Sequence, residues 1–254
     1  MAAYIVLAIA RQTWRELLRE RVVSGGLLAS VVLVLAAIPL GGLSLGQDFR
    51  LLADLGFASV ELTSVLLVAV AGAQMLPREW ERRTAFLVLS KPVSRSSFLL
   101  GKAMGLMAVA IQLVLFQGGV LLVLLALRHG PPTPLAGQLL LTCLQAVLVG
   151  AIAVAFSAVA STPVTLLATL ALYVTGHNLD SLHGLASQLD GPGRMLLTAL
   201  GHALPDFSLL DLKNRIIHGE GLSASVAAKA LLHGLSWTFA ALAAGVLAFR
   251  GREA

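Results

Sequence analysis

Residues 135–176 form a run of 42 positions without a single Asp, Glu, Lys or Arg. As one helix, rising 1.5 Å per residue, this run would extend about 63 Å, roughly twice the thickness of a hydrocarbon core. It must therefore fold back on itself. Ser161-Thr162-Pro163 near its middle is the natural turn, because Pro163 lacks a backbone donor and disfavours helix at Thr162. Four more stretches suit single crossings: 22–46, 103–127 and 230–249 carry no charge, and 57–76 carries only Glu61. Composition agrees with six spans. Only 12% of residues are charged and 57% are hydrophobic, whereas soluble domains carry roughly 25% charged residues. A soluble enzyme could not cover its surface, and a disordered chain needs the opposite composition. The expected fold class is all-α, a polytopic membrane protein with six transmembrane helices. Cys143 is the single cysteine, so no internal disulfide or Cys-pair metal site can form.

The basic residues orient these spans. With the N-terminus inside, twelve of the eighteen fall on the inner side, from Arg11, Arg15, Arg19 and Arg21 through Arg78 and Lys102 to Arg250 and Arg252. Both termini are then cytoplasmic by the positive-inside rule. The net charge of +5 is a topology signal, and no aromatic-interleaved basic patch accompanies it to suggest nucleic acid. Residues 1–21 do not resemble a cleaved signal peptide, because the Arg cluster follows the apolar start. Arg11, Arg15 and Arg19 recur every four residues opposite Trp14, Leu17 and Leu18. That pattern predicts a helix lying along the cytoplasmic interface, in contact with membrane lipid.

The longest connection, 177–225, lies outside and exceeds the length of a passive turn. It contains two helix-like pieces near 194–203 and 208–218, with Ser208 and Asp211 as a capping signal for the second. Its apolar residues predict contact with the outer membrane face. His177, His183, His202 and His218 fall in or beside it, without ligand spacing, so no metal site is expected. Asp180, Ser181 and His183 are neighbours in sequence, which does not make a catalytic triad. Glu61, near the outer end of its span, is expected to be an interfacial carboxylate beside Arg50 or Lys229, with a proton relay as the alternative. Gln74, Gln112, Gln117 and Gln145 are expected to form interhelical hydrogen bonds. Gly101 and Gly105 signal close helix packing, as do Gly25 and Gly26 in Val23-Ser24-Gly25-Gly26-Leu27. No G-x-x-x-x-G-K-[ST] phosphate cradle occurs, so this chain is not expected to hydrolyse ATP or to hold a cofactor.

The inner loop 77–102 reads PREWERRTAFLVLSKPVSRSSFLLGK. Trp80, Phe86, Leu87 and Leu89 form an apolar stripe among charges, which predicts a short amphipathic helix ended by Pro92. Glu79, Glu81, Arg82, Arg83 and Thr84, then Leu87 and Leu89, then Ser90-Lys91-Pro92-Val93-Ser94-Arg95 and Phe98-Leu99-Leu100-Gly101-Lys102, resemble the segment between the second and third helices of ABC-type-2 permeases. Leu204-Pro205-Asp206-Phe207 and Leu210-Asp211-Leu212-Lys213 are similar to the outer segment of the branch that includes permeases for copper-enzyme maturation. The resemblance implies a single permease domain over 1–254, in a bacterial inner membrane, coupled to a separate ABC ATPase subunit that binds the ATP. It implies that Glu79, Trp80, Glu81, Arg82, Arg83, Thr84, Phe86, Leu87, Lys91, Pro92 and Arg95 form the coupling element, with Trp80, Phe86 and Leu87 giving buried contact and Arg82, Arg83 and Arg95 pairing with carboxylates. Six spans further suggest a dimer, a second copy of this chain being the favoured partner, and the long outer segment suggests an extracytoplasmic partner. The competing readings are a secondary transporter, which needs ion-coupling charges and repeated halves that are not evident here, a membrane-embedded enzyme with its site among the outer histidines, and a membrane assembly subunit that transports nothing.

Overall fold

The structure, a computed structural model, describes residues 2–41, 48–81, 94–127, 132–217 and 223–251. The described residues are almost wholly helical. They form α1 (Ala2–Arg19), α2 (Arg21–Gly41), α3 (Asp48–Glu81), α4 (Arg95–Leu127), α5 (Pro132–Ser157), α6 (Thr162–His177), α7 (Leu179–Ser187), α8 (Pro192–Ala203), a 3-10 turn (Ser208–Leu210), α9 (Lys213–Ile217) and α10 (Ala224–Arg250). Five of these, α2, α3, α4, α5 and α10, are long and apolar enough to cross a membrane. The sixth expected span is α6. Its 16 residues reach only about 24 Å, and the chain continues through Asn178 directly into α7.

The uncharged run folds back where expected. α5 ends at Ser157, and α6 starts at Thr162 with Pro163 in its first turn, where a missing N–H costs nothing. α5 is the centre of the bundle. Its apolar window is 78% buried, against 22% for α2 and for α10, and it packs against α3, α4, α6 and α10. α2 and α10 expose Leu28, Val32, Leu232, Phe239 and Leu247 outward, the faces that lipid covers in a chain of this composition.

Glycines set the close approaches. A Cβ at Gly101 would lie 2.7 Å from Ile9 Cβ, and one at Gly105 would lie 2.6 Å from Thr13 Cβ and 2.7 Å from the Ala10 carbonyl oxygen. The G-x-x-x-G pattern thus serves α1, which lies along α4. Gly26 plays the same part for α2, resting on Leu67 of α3. Interhelical hydrogen bonds follow the glutamines. Trp14 Nε1–H donates to Gln112 Oε1 at 2.9 Å and Thr63 Oγ1–H to Gln117 Oε1 at 2.8 Å. Gln74 departs from the expectation, its buried Oε1 having no hydrogen-bond partner among the described residues.

Two boundaries differ from the sequence reading. α3 runs through Pro77 to Glu81, so residues 78–81 are its last turn and not the start of a separate helix. An apolar span tolerates the lost hydrogen bond because its neighbours hold the helix. The piece expected over 208–218 divides into the 3-10 turn and α9, separated by Asp211 and Leu212. Asp206, rather than the Ser208–Asp211 pair, caps that turn: its Oδ1 accepts from Ser208 N at 2.9 Å and Ser208 Oγ at 2.6 Å. The piece expected near 194–203 is present as α8.

Candidate functional site

Two charged assemblies stand out among the described residues of the bundle. The first lies where α3 ends and α4 begins, bracketing residues 82–93. Ser94 caps α4 by accepting a hydrogen bond from Ser97 N at 3.1 Å. Lys102, only 7% exposed, donates to Glu79 Oε1 at 2.6 Å and lies 3.6 Å from Glu16 Oε2. Arg78 pairs with Glu20 at 2.7 Å. These contacts tie α3, α4 and the α1–α2 junction together. Of the expected coupling residues, Glu79 lies in this network and Arg95 opens α4 half-buried. Trp80 and Glu81 belong to the last turn of α3. Arg82, Arg83, Thr84, Phe86, Leu87, Lys91 and Pro92 lie outside the described residues. No local spacing marks Glu16, Glu20 and Lys102 as partners, because the pairings cross separate helices.

The second assembly surrounds Glu61 on α3, which is 8% exposed. Its Oε1 accepts from Tyr173 OH at 2.6 Å and Gln145 Nε2 at 2.7 Å, and lies 3.1 Å from His177 Nε2. Its Oε2 lies 3.4 Å from Lys213 Nζ, which in turn is 2.9 Å from Asp211 Oδ2. The expected neighbours Arg50 and Lys229 are replaced by Lys213. The reason is that 204–213 folds inward instead of resting on a membrane face. Phe207 and Leu210 are fully buried, Phe207 N–H donates to the Gly176 carbonyl at 3.1 Å, and Gln138 spans the backbone by donating to Leu210 O at 3.3 Å and accepting from Leu212 N at 2.9 Å. Gly176 is required there, since a Cβ would strike Pro205 O and Phe207. Phe207 packs edge-on to Tyr173, with ring centroids 5.2 Å apart, and stacks on His177 at 6.0 Å. Burial would lower the Lys213 pKa, but the Glu61 and Asp211 carboxylates outweigh it and hold the ammonium above the ordinary lysine value.

Donor atoms of Glu61, His177 and Asp211 lie within 4.8 Å of one another, close enough to share a metal ion. Lys213 already places a positive charge against both carboxylates, so a metal ion would have to displace the chain's own cation. α7, α8 and the link between them expose Leu185, Leu189, Met195 and Leu196, apolar side chains of the kind expected at the outer membrane face. There His183 and His202 meet edge-on, with ring centroids 5.9 Å apart. His218 lies outside the described residues.

An all-helical bundle with five membrane-length helices, a charge-tied end and one buried polar cluster defines a multi-pass membrane protein. Residues 7–177 match the model of the ABC-2 family transporter proteins. That is more than half of the chain, and the chain belongs to this family; it is a membrane subunit of an ABC transporter and not itself the ATPase. No match is found among curated proteins.

Proposed function

We propose that this chain is the permease half of an ATP-driven transporter, moved by separate ATPase subunits that engage residues 78–95. The observation that carries this reading is the Glu79–Lys102 pair, buried where the two helices enter and leave that segment. Family membership supports an ATPase partner, and the pair supports mechanical transmission. A push on 82–93 meets two helices already joined to each other and, through Glu16 and Glu20, to α1 and the start of α2. The load therefore passes to four helices at once. The end bearing 82–93 is cytoplasmic on the balance of basic residues, in a bacterial inner membrane. Two copies of this chain form the path between them, each resting on one ATPase. ATP binding draws the ATPases together, and the two permeases rearrange as far as the nucleotide's differential affinity for the two states drives them. Export, or transmission of force to an outer partner, is the work performed.

The test is co-purification with the candidate ATPase, comparing wild type with Arg82→Glu/Arg83→Glu. The variant is expected to lose bound ATPase and the ATP turnover that depends on the complex. Unchanged assembly and unchanged turnover would remove the proposed lever.

A further inference from the structure

A groove of about 900 Å³ runs between α1 and the ends of α3 and α4. This is at the upper end of ligand-sized clefts, about 300–1,000 Å³. Its wall changes character along α1. Tyr4 and Leu7, which are 77% and 62% exposed, form one end. Arg11, Arg15 and Arg19, all exposed on the same side of the helix, form the other. Met75 and Phe98 belong to the opposite wall. Five cationic and three acidic side chains line the groove. The acids are engaged with Arg78 and Lys102, whereas Arg11, Arg15 and Arg19 pair with no acid among the described residues.

We infer that this groove binds one anionic glycerophospholipid. The acyl chains lie along Tyr4 and Leu7, and the phosphate meets the three arginines. A soluble phosphate compound would leave the apolar end facing water, and the quaternary ammonium of a zwitterionic lipid would be repelled by the three guanidinium groups. This site does not depend on the ATPase reading, and its test needs no nucleotide.

The experiment is native mass spectrometry of the full chain, delipidated in mild detergent and offered phosphatidylglycerol or phosphatidylcholine. The wild type is expected to retain phosphatidylglycerol at least tenfold better than phosphatidylcholine. Arg11→Gln/Arg15→Gln/Arg19→Gln is expected to lose that preference, while Arg50→Gln, an exposed arginine on α3 outside the groove, keeps it. Because all four arginines are exposed, these changes do not threaten folding. Equal retention of the two lipids by the wild type, or an undiminished preference in the triple variant, would overturn the site. So would an equal loss in Arg50→Gln. Full displacement of the lipid by an equimolar amount of soluble glycerophosphoglycerol would overturn the lipid assignment and leave a phosphate-compound site.

Discussion

Replacing Lys213 by Met removes the one ammonium among the described residues that faces Glu61 and Asp211. Lys213 Nζ is 3.4 Å from Glu61 Oε2 and 2.9 Å from Asp211 Oδ2. At an effective dielectric constant of 20, each contact contributes roughly 5–6 kcal/mol of attraction, most of it cancelled by desolvation. The three side chains are only 10–16% exposed, so solvent screens them little. Deleting one partner of such a buried group costs about 3–5 kcal/mol, because the carboxylates stay behind without compensation. Lys213→Met is thus expected to destabilise the fold by about that amount. Glu61→Gln costs less, since Lys213 keeps Asp211. The double variant is expected to regain part of the loss, with a coupling energy above about 1.5 kcal/mol. The assay is denaturant unfolding in mixed micelles, followed by tryptophan fluorescence, on wild type, both single variants and the double. Losses that add within about 0.5 kcal/mol, the usual result for independent sites, would refute the charge-compensation reasoning.

Three further outcomes are expected. Gly105→Leu would drive a side chain into Thr13 and the Ala10 carbonyl, costing about 1–3 kcal/mol by overpacking and lifting α1; faster proteolysis within α1 would show it, and an unchanged digest would contradict the packing. Lys102→Met should cost about 3–5 kcal/mol by removing the buried ammonium beside Glu79, and Lys102→Met/Glu79→Gln should restore part of that in the same unfolding assay; no recovery would deny the pair its role. The Lys213 pKa is raised in the folded state, so its contribution is fully present below about 10.4, the ordinary value, and fades as pH rises through the higher folded value. Unfolding across alkaline pH should show that fading in wild type and not in Lys213→Met, and parallel curves would exclude it.

What the sequence disclosed was whatever the bilayer or a local spacing dictates. An uncharged run twice the membrane thickness has to fold back, and Ser161-Thr162-Pro163 was the place. Gly101 and Gly105 announce a close approach but not its partner α1, whose arginine stripe suggests only a helix lying along the cytoplasmic interface. The Glu61 cluster was illegible because Tyr173, His177 and Lys213 lie more than a hundred positions away. A lone acid in a span demands a cation, yet Arg50 and Lys229 met that demand equally well on the page. The misread cap at Ser208 has a local cause: Asp206, two residues earlier, offers its carboxylate first. The inward fold of 204–213 needed Gln138 and Gly176, neither of which carries a spacing signal.

The two halves of the connection after α6 differ in how they would receive foreign sequence. Gly191, at φ 69°, lies exposed at the tip between α7 and α8 with no atom in reach of a Cβ. A reporter peptide spliced there would ride free of the bundle. The same splice at Asp206 would sever the bonds to His233 and Ser208 and extract Phe207 from its seat, so epitope insertion along this one connection should divide into a permissive half and a forbidden one.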